Sequence, residues 1–314
     1  MPPPPPPPPG RLRWADVPAP LRARLEAALG GVVAEVRTPD GGFGHQLAAV
    51  LLLDNGRRFF VKAAPDDDPL TVGNLHEAAV LGALPPRAPA PALVGVHHRA
   101  GWTAVVVAHL DGPHPDLSPG SGDATVVRDL LAGLTADPAP AAYRAAVGNA
   151  PSGVARLHGW DVLLADPPDD LPVELRSLLP LLAAVEARWP SSAGGDRIVH
   201  GDLRADNMVR DRFRGVMFVD WAHATTGPAC VDAVSLAPQL VLAGHEPAAV
   251  ARLLDEHPAA TADPEATTAF LAALCGHWRL NARRPAPQGA PGLRPYQNRA
   301  AAAGLAVLLH RLRR

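Results

Sequence analysis

Short apolar runs, several of them alternating with polar positions, occupy the first third of the chain and predict an antiparallel sheet. The predicted strands are residues 32–37, 47–53, 58–62, 92–96 and 103–107. The second and third are separated by Asp54-Asn55-Gly56, and Asn-Gly favours a tight hairpin because both residues accept a positive φ. The last two strands are predicted to form a pair around a turn at His97-His98.

Apolar positions recur at helical spacing elsewhere, and predominantly after residue 124. One predicted helix, 12–29, precedes the strands, and a second, 70–84, lies between the third and the fourth. The later helices are predicted at 125–134, 152–164, 171–189, 234–243, 247–256, 265–281 and 294–313. A loop rich in proline, glycine and serine, 113–123, separates the strand-containing part from the helical part.

The composition limits the class of protein. The 314 residues can bury a sizeable core, either as one large domain or as two lobes. A formal charge of −2 and an isoelectric point near 6.7 give no basic field, so no nucleic-acid partner is expected. Cysteines are too few for a disulfide framework, and no apolar run reaches the roughly 20 residues that span a bilayer. We therefore expect a cytoplasmic protein without a membrane partner, of undetermined oligomeric state.

An unbroken run of prolines lies between Met1 and Gly10. Proline fixes φ and has no amide hydrogen, so residues 1–10 are predicted to be an extended, solvated and disordered tail. Such a segment can also be a ligand for a proline-binding domain, and this interpretation stays open.

Two apolar runs in the second half of the chain are each followed by an aspartate. Asp202 follows Ile198 and Val199 closely, Asp220 follows the run 216–219, and Asn207 lies between them. Two buried strands that deliver these residues would place three oxygen ligands at one point. Such a cluster suits a hard divalent cation such as Mg²⁺, which shares its shell with substrate phosphates. The alternative is that both aspartates only cap neighbouring elements.

This stretch resembles the catalytic loop and the metal-binding aspartate of kinases, in the form found in the aminoglycoside phosphotransferase and choline kinase family. The residues that carry the resemblance are, in order, His200-Gly201-Asp202, Asn207 and Asp220-Trp221. The resemblance covers most of the chain. It implies an α+β, two-lobed protein kinase-like fold, with an antiparallel sheet and one helix in the small lobe and a mainly helical large lobe. It also implies phosphoryl transfer from ATP, with Mg²⁺, to a small-molecule hydroxyl: Asp202 would orient or deprotonate that hydroxyl, and Asn207 and Asp220 would hold the metal.

A glycine-rich turn and a lysine near the N-terminus fit the same scheme. Gly42 and Gly44 lie in the turn after the first strand, where backbone amides can approach phosphates, although such turns are also common for structural reasons. Lys62 is the only lysine among 29 basic residues. The resemblance makes it the contact of the α- and β-phosphates, with Glu77 as its ion-pair partner. A surface lysine and a solvated glutamate are the alternatives.

The resemblance also divides the chain. Residues 11–107 would form the nucleotide-binding lobe, 108–123 the hinge and linker, and 124–314 the catalytic and acceptor-binding lobe. In the kinase fold the hinge backbone binds adenine, so Ala108 and Leu110 are the expected contacts.

Further residues around the catalytic aspartate have expected roles. Arg204 occupies the place of a protein-kinase lysine that approaches the transferred phosphoryl group, and a contact with Asp206 or with solvent is the alternative. His200 is expected to be a packed, hydrogen-bonded residue that shapes the loop. Asp232 resembles the family aspartate that braces this loop.

The end of the chain bears on the acceptor. From Gly276 onward there is no acidic residue, whereas the arginines are Arg279, Arg283, Arg284, Arg294, Arg299, Arg311, Arg313 and Arg314. Such a surface suits a neutral or anionic acceptor better than a polycationic aminoglycoside, unless these arginines only lie on solvated faces. Two other classes stay open: a kinase-fold protein that binds nucleotide or a metabolite without turnover, and an interaction protein recruited through its polyproline tail.

Overall fold

The structure is a computed structural model that describes residues 11–39, 44–148, 153–287 and 290–313, so the predicted tail 1–10 lies outside the described residues. Within these ranges five antiparallel strands form one sheet in the order β1-β2-β3-β5-β4. Their bounds are Val33–Arg37 (β1), Leu47–Leu53 (β2), Arg58–Pro65 (β3), Leu93–Arg99 (β4) and Trp102–Ala108 (β5). The helix α2, Pro69–Ala83, connects β3 to β4. The predicted small-lobe sheet with its helix is confirmed.

The two faces of this sheet pack against different partners. One face packs against the leucines of α1, Ala19–Leu29, which recur every fourth residue and so form one apolar stripe. Val61 of β3 belongs to this face and is fully buried. Because side chains alternate along a strand, the neighbouring Phe60 and Lys62 lie on the other face, toward α2 and the large lobe. The side of the sheet on which Lys62 lies is thus fixed by the apolar residues on the opposite face.

The large lobe is mainly helical. Its helices are α3 (Asp123–Leu134), α4 (Ala141–Val147), α5 (Trp160–Ala165), α6 (Val173–Glu186), α7 (Trp189–Ser192), α8 (Cys230–Leu242), α9 (Pro247–Asp255), α10 (Pro258–Thr261), α11 (Pro264–Asn281) and α12 (Leu293–Leu312). Two short antiparallel ladders complete it: β6 (Arg197–Val199) with β9 (Thr225–Gly227), and β7 (Met208–Asp211) with β8 (Gly215–Phe218). Across the described ranges, no helix is both long and apolar enough to cross a membrane.

The segment after β5 is bonded to the β7–β8 hairpin. The Asp111 N–H donates to Asp211 Oδ2 at 2.8 Å, and the Arg210 N–H donates to Pro113 O at 2.8 Å. Gly112 lies between these bonds, where a β-carbon would overlap the carbonyl oxygen of Arg210. The two backbones are therefore in direct contact, and position 112 requires glycine.

The predicted turn at His97-His98 is wrong. Both histidines lie within β4 and pair with residues of β5. The chain turns instead at Ala100 and Gly101, whose φ angles are 55° and 74°. Gly101 accepts this conformation without strain because it has no β-carbon, and this allows the tight connection.

Two predicted helices differ from the structure by more than the others do. The helix 12–29 begins only at Ala19, because Pro18 and Pro20 lack the amide hydrogens that a longer helix would need. The described part of 152–164 is a 3-10 turn, Gly153–Arg156, followed by α5 from Trp160 onward. Between them the backbone of Gly159 lies directly against α11, where a β-carbon would overlap a carbonyl oxygen. This close approach replaces the predicted continuous helix.

Candidate active site

Lys62 lies where three elements of the structure meet. Its Nζ donates hydrogen bonds to Glu77 Oε2 on α2 at 2.6 Å and to Asp220 Oδ1 after β8 at 2.7 Å. Lys62 and Glu77 are only 8% and 4% exposed, so these charge-assisted bonds lie in surroundings of low polarity. One ammonium group therefore holds β3, α2 and the segment after β8 together.

The two carboxylates keep this ammonium charged. Burial lowers the pKa of the Lys62 side chain, but Glu77 and Asp220 outweigh this effect, and the net pKa is raised. Burial raises the pKa of the Asp220 carboxyl, but the nearby Lys62 lowers it by a larger amount, so the net pKa is lowered. At neutral pH the cluster thus contains an ammonium and an ionised Asp220.

Asp220 has a left-handed backbone conformation, with φ 64° and ψ 60°. Aspartate tolerates this region better than most residues that carry a β-carbon. The conformation leads directly into a 3-10 turn in which the Trp221 N–H donates to Glu77 Oε1 at 3.2 Å. The fully buried Trp221 indole donates in turn to Phe218 O at 2.9 Å. These contacts hold the strained residue in place, while 41% of the Asp220 side chain stays exposed.

Asp202 is held by two neighbours in the loop after β6. Its Oδ2 accepts a hydrogen bond from Asn207 Nδ2 at 3.0 Å and lies 3.2 Å from Arg204 Nη1. Asn207 Nδ2 also donates to the Asp202 carbonyl oxygen at 2.7 Å. Burial raises the pKa of the Asp202 carboxyl and Arg204 opposes this, with a net rise. The side chain is still 26% exposed, so a ligand can reach it.

Arg204 contacts more groups than the sequence indicates. Its Nε and Nη2 donate to the two carboxylate oxygens of Asp206 at 2.9 and 3.1 Å, in addition to the pairing with Asp202. Its guanidinium carbon lies 5.8 Å from the ring centroid of Tyr296, whose hydroxyl accepts a hydrogen bond from Gln239 Nε2 at 2.9 Å. Tyr296 and Gln239 lie on α12 and α8, and no motif or spacing in the sequence links them to the loop.

The loop before Asp202 is fixed from inside the protein. His200 is fully buried; its Nε2 donates to Val219 O at 2.9 Å, and its Nδ1 accepts from the Asp202 N–H at 3.3 Å. Burial lowers the pKa of His200 to about 4, so the ring is neutral at pH 7 and these bonds fix its tautomer. Asp232 accepts from the backbone N–H groups of His200 at 2.7 Å and Gly201 at 3.0 Å. Burial raises the pKa of Asp232 to about 6.

Asn207 and Asp220 could supply oxygen ligands to a cation. The Val219 N–H donates to Asn207 O at 2.9 Å, which brings Asn207 next to the residue that precedes Asp220. The Asn207 amide nitrogen is used by Asp202, so its amide oxygen remains for a ligand. Mg²⁺ fits this donor set, because it takes one or two protein oxygens and keeps waters and phosphate oxygens. Among the described residues no group of three or more His, Cys, Asp or Glu could hold a metal ion.

The predicted nucleotide contacts that the structure describes lie near the ends of two internal strands, Ala108 and Leu110 at and just after the end of β5 and Gly44 before the start of β2. Ala108 ends β5, and its N–H donates to Ala92 O at 2.8 Å. Leu110 is buried, and the next residue is bonded to the β7–β8 hairpin. Gly44 is joined to the N-terminal segment, because Arg11 Nε donates to its carbonyl oxygen at 3.3 Å. Gly42 lies outside the described residues.

Several solved structures are similar to this chain. The choline kinase LicA from Streptococcus pneumoniae has a TM-score of 0.57 at 13% identity, over 90% of this chain and 97% of that one. APH(2")-IIia in complex with GDP and kanamycin has a TM-score of 0.55 at 15% identity, over 93% and 97%. A thermostable mutant of aminoglycoside phosphotransferase APH(4)-Ia, with ADP and hygromycin B, has a TM-score of 0.52 at 14% identity, over 91% and 98%. At these identities the likeness shows the fold alone, which is the two-lobed kinase-like fold.

The comparison of sequences gives the family. No curated protein matches the sequence. The model of a phosphotransferase enzyme family, APH, matches residues 35–274, a range that contains Lys62, Glu77, Asp202, Asn207 and Asp220. This match spans well over half of the chain, and the protein therefore belongs to the phosphotransferase enzyme family.

Proposed function

We propose that the protein transfers the terminal phosphoryl group of ATP, in the presence of Mg²⁺, to a hydroxyl group of a small molecule. The observation that carries this proposal is the Lys62 ammonium, which lies 2.6 Å from Glu77 and 2.7 Å from Asp220. In kinases such a cluster aligns the donor phosphates with the metal. Lys62 is the one lysine of an arginine-rich chain, and a compact ammonium group suits a position between carboxylates and the proposed phosphates better than a planar guanidinium does.

The nucleotide is proposed to bind between the sheet and the helical part. Residues 11–107 would bind it, 108–123 would form the hinge and linker, and 124–314 would carry the catalytic loop and the acceptor. The backbones of Ala108 and Leu110 would contact adenine, and those of Gly42 and Gly44 would approach the phosphates. Lys62 would bind the α- and β-phosphates.

Asn207 and Asp220 are the proposed metal ligands. When bound, Mg²⁺ would neutralise charge on the phosphate oxygens. Asn207 Nδ2 donates a hydrogen bond to Asp202, and Asp220 Oδ1 accepts one from Lys62, so both proposed ligands are oriented by neighbouring side chains. This orientation supports a site that is formed before the substrate binds.

Asp202 is proposed to orient the acceptor hydroxyl and to accept its proton. Its pKa, raised by burial, makes its carboxylate a better proton acceptor than a solvated aspartate. Arg204, 3.2 Å away, would place positive charge beside the phosphoryl group during transfer. Asp206 and Tyr296 hold this guanidinium, so little rearrangement would be needed.

The acceptor is proposed not to be a polycationic aminoglycoside. From Gly276 to the end of the chain there are arginines and no acidic residue, which does not complement a polycation. Efficient phosphorylation of kanamycin-like compounds by the purified protein would refute this part of the proposal.

The test is Mg²⁺-dependent consumption of ATP by the purified protein with pooled hydroxylated metabolites and antibiotics. Asp202→Asn and Asp220→Asn serve as controls, because each removes one proposed role while preserving size. We expect at least one pool to give turnover that both substitutions abolish. Thermal stabilisation by ATP with Mg²⁺ but no turnover in any pool would favour a binding protein without catalysis. Absence of both turnover and stabilisation would refute the phosphotransfer site.

A further inference from the structure

A cleft of about 550 Å³ lies between the end of α11 and the start of α12. Its polar lining comes from Arg279 on α11, Arg283 just after it, Arg294 and Asn298 on α12, and Asp170. Three guanidinium groups thus face one space together with a single carboxylate. The arginine-rich end of the chain is therefore not spread evenly over solvated faces, because part of it converges on this cleft.

The acidic group in the cleft is already paired. Arg283 binds Asp170 through both terminal nitrogens, at 2.7 and 3.2 Å. Arg279 and Arg294 bind only uncharged groups among the described residues: Arg279 Nη1 donates to Asn298 Oδ1 at 2.5 Å, and Arg294 donates to Gln297 and to a backbone carbonyl. Asp170 is the one carboxylate among the described lining residues, against three arginines, so the lining carries an excess of positive charge.

Arg279 shows the cost of this arrangement. Its Nε is buried and has no hydrogen-bond partner in the described part of the chain. Burial, and then the neighbouring Arg283, lower the pKa of Arg279. Because Asn298 accepts a hydrogen bond from Arg279 through its oxygen, the Asn298 amide nitrogen remains as a further donor. The cleft is rich in donors and positive charge and would be stabilised by an anion.

We propose that Arg279, Arg283, Arg294 and Asn298 form a binding site for an oxyanion, a carboxylate or phosphate group, carried by the acceptor substrate. Planar guanidinium groups bind such groups through paired hydrogen bonds. That the oxyanion belongs to the acceptor rests on the proposed function; the binding of an oxyanion does not.

The position of α12 connects this site to the catalytic loop. Arg294 and Asn298 are four residues apart and share one face of the helix, whereas Tyr296 projects from the other face toward Arg204. The first turn of α12 therefore lies between the cleft and the Arg204 side chain, and the two faces of the helix are about one helix diameter, roughly 10 Å, apart. Asp202 lies beyond Arg204, whose Nη1 is 3.2 Å from Asp202 Oδ2. An acceptor that reaches both would extend around the first turn of α12 and carry its anionic group more than about 10 Å from the phosphorylated hydroxyl.

The first test measures binding of inorganic phosphate by calorimetry to the wild-type chain, to Arg279→Gln/Arg294→Gln and to Arg299→Gln. Arg299 is an exposed arginine on the same helix that does not line the cleft, so its substitution shows the effect of one positive charge lost outside the cleft and is matched in charge to the single variant Arg294→Gln. We expect phosphate to bind the wild type and the control equally and the double variant at least about tenfold more weakly, since charged hydrogen bonds are lost. Equal binding by all three, or no binding by the wild type at millimolar phosphate, would overturn the site.

A variant with only Arg294→Gln keeps the test informative if loss of Arg279 impairs folding. This variant should also bind phosphate more weakly, and unchanged melting temperature and circular dichroism would show that it is folded. Unchanged phosphate binding by folded Arg294→Gln would count against the site.

The second test asks whether the acceptor carries the oxyanion. For a turned-over anionic acceptor, Arg294→Gln should raise KM for the acceptor about tenfold without raising KM for ATP, and inorganic phosphate should compete with the acceptor. Loss of phosphate binding with an unchanged acceptor KM would overturn the assignment to the acceptor. Thermal stabilisation by ATP with Mg²⁺ is measured in parallel, because its failure refutes phosphotransfer while the phosphate experiment still decides the cleft.

Discussion

Replacing Lys62 by methionine removes one charge from a cluster of three while keeping a similar length of side chain. Glu77, 4% exposed, then retains the Trp221 N–H at 3.2 Å but no cation. Breaking a buried ion pair from one side costs 3–5 kcal/mol in typical proteins. We expect the lower end, about 3 kcal/mol of unfolding free energy, because the Trp221 bond stays and because Asp220, 41% exposed, is reached by water.

A second substitution tests the cause of that loss. In Lys62→Met/Glu77→Gln the buried carboxylate is absent as well, so about two thirds of the lost stability should return. Phosphoryl transfer should not return, because no ammonium is left for the phosphates. The pH dependence gives an independent check: burial raises the pKa of Glu77, so Lys62→Met should regain stability as the pH falls and this carboxyl takes up a proton. The double variant should lack this gain.

The assay is urea unfolding at several pH values, with ATP consumption measured on the same samples. Arg58→Met on the same strand is the control, because Arg58 is half-exposed and lies 3.5 Å from Asp111. Its loss should cost less than about 1 kcal/mol. A double variant as unstable as Lys62→Met, without any difference in pH dependence, would refute the argument from an uncompensated buried charge.

Three further predictions concern the proposed catalytic loop, which follows β6. Asp202→Asn should lower kcat at least about 100-fold, whereas the matched Asp206→Asn should lower it far less; equal losses in steady-state kinetics would contradict the role of Asp202. Burial lowers the pKa of His200 from 6.5 in the unfolded chain to about 4 in the folded protein. The unfolded chain therefore takes up a proton at a higher pH than the folded protein, so the free energy of unfolding is highest above pH 6.5 and falls as the pH is lowered to 4. In denaturant titrations the stability of the wild type relative to His200→Asn should therefore fall by about 3 kcal/mol between pH 7.5 and pH 4, and a constant difference would contradict the buried neutral ring. Tyr296→Leu should lower kcat about fivefold because Arg204 loses the ring beneath its guanidinium, and Tyr296→Phe should keep most activity; equal losses would show that the ring is not responsible.

The sequence predicts the elements whose signals are local. The strand 47–53 is found with these bounds, and the helix 265–281 begins one residue earlier, because apolar periodicity and the turns beside them lie within the segments themselves. The order of Asp202, Asn207 and Asp220 likewise needs only a short stretch of chain. The structure adds their hydrogen bonds and the left-handed conformation of Asp220, which no residue pattern specifies.

The features that the sequence does not predict depend on distant contacts. The strand Met208–Asp211 contains two charged residues and is stabilised by its pairing with β8 and by the linker, so its own composition does not indicate a strand. Tyr296 contacts Arg204 only because α12 packs beside the loop, and a lone tyrosine in a helical pattern indicates nothing more than a packed position. The convergence of Arg279 and Arg294 on one cleft also follows from the packing of α11 on α12 and not from their spacing.

The single lysine of this chain gives it a natural site for chemical labelling. An amine-reactive reagent has one side-chain target, the Nζ of Lys62, which is buried and held in its protonated, unreactive form by two carboxylates. Reaction at this atom requires the contacts with Glu77 and Asp220 to open, so the labelling rate measures how often the cluster separates. Mass spectrometry of the proteolytic peptide that contains Lys62 separates this label from one on the α-amino group, and it would report the opening of the cluster without an introduced probe.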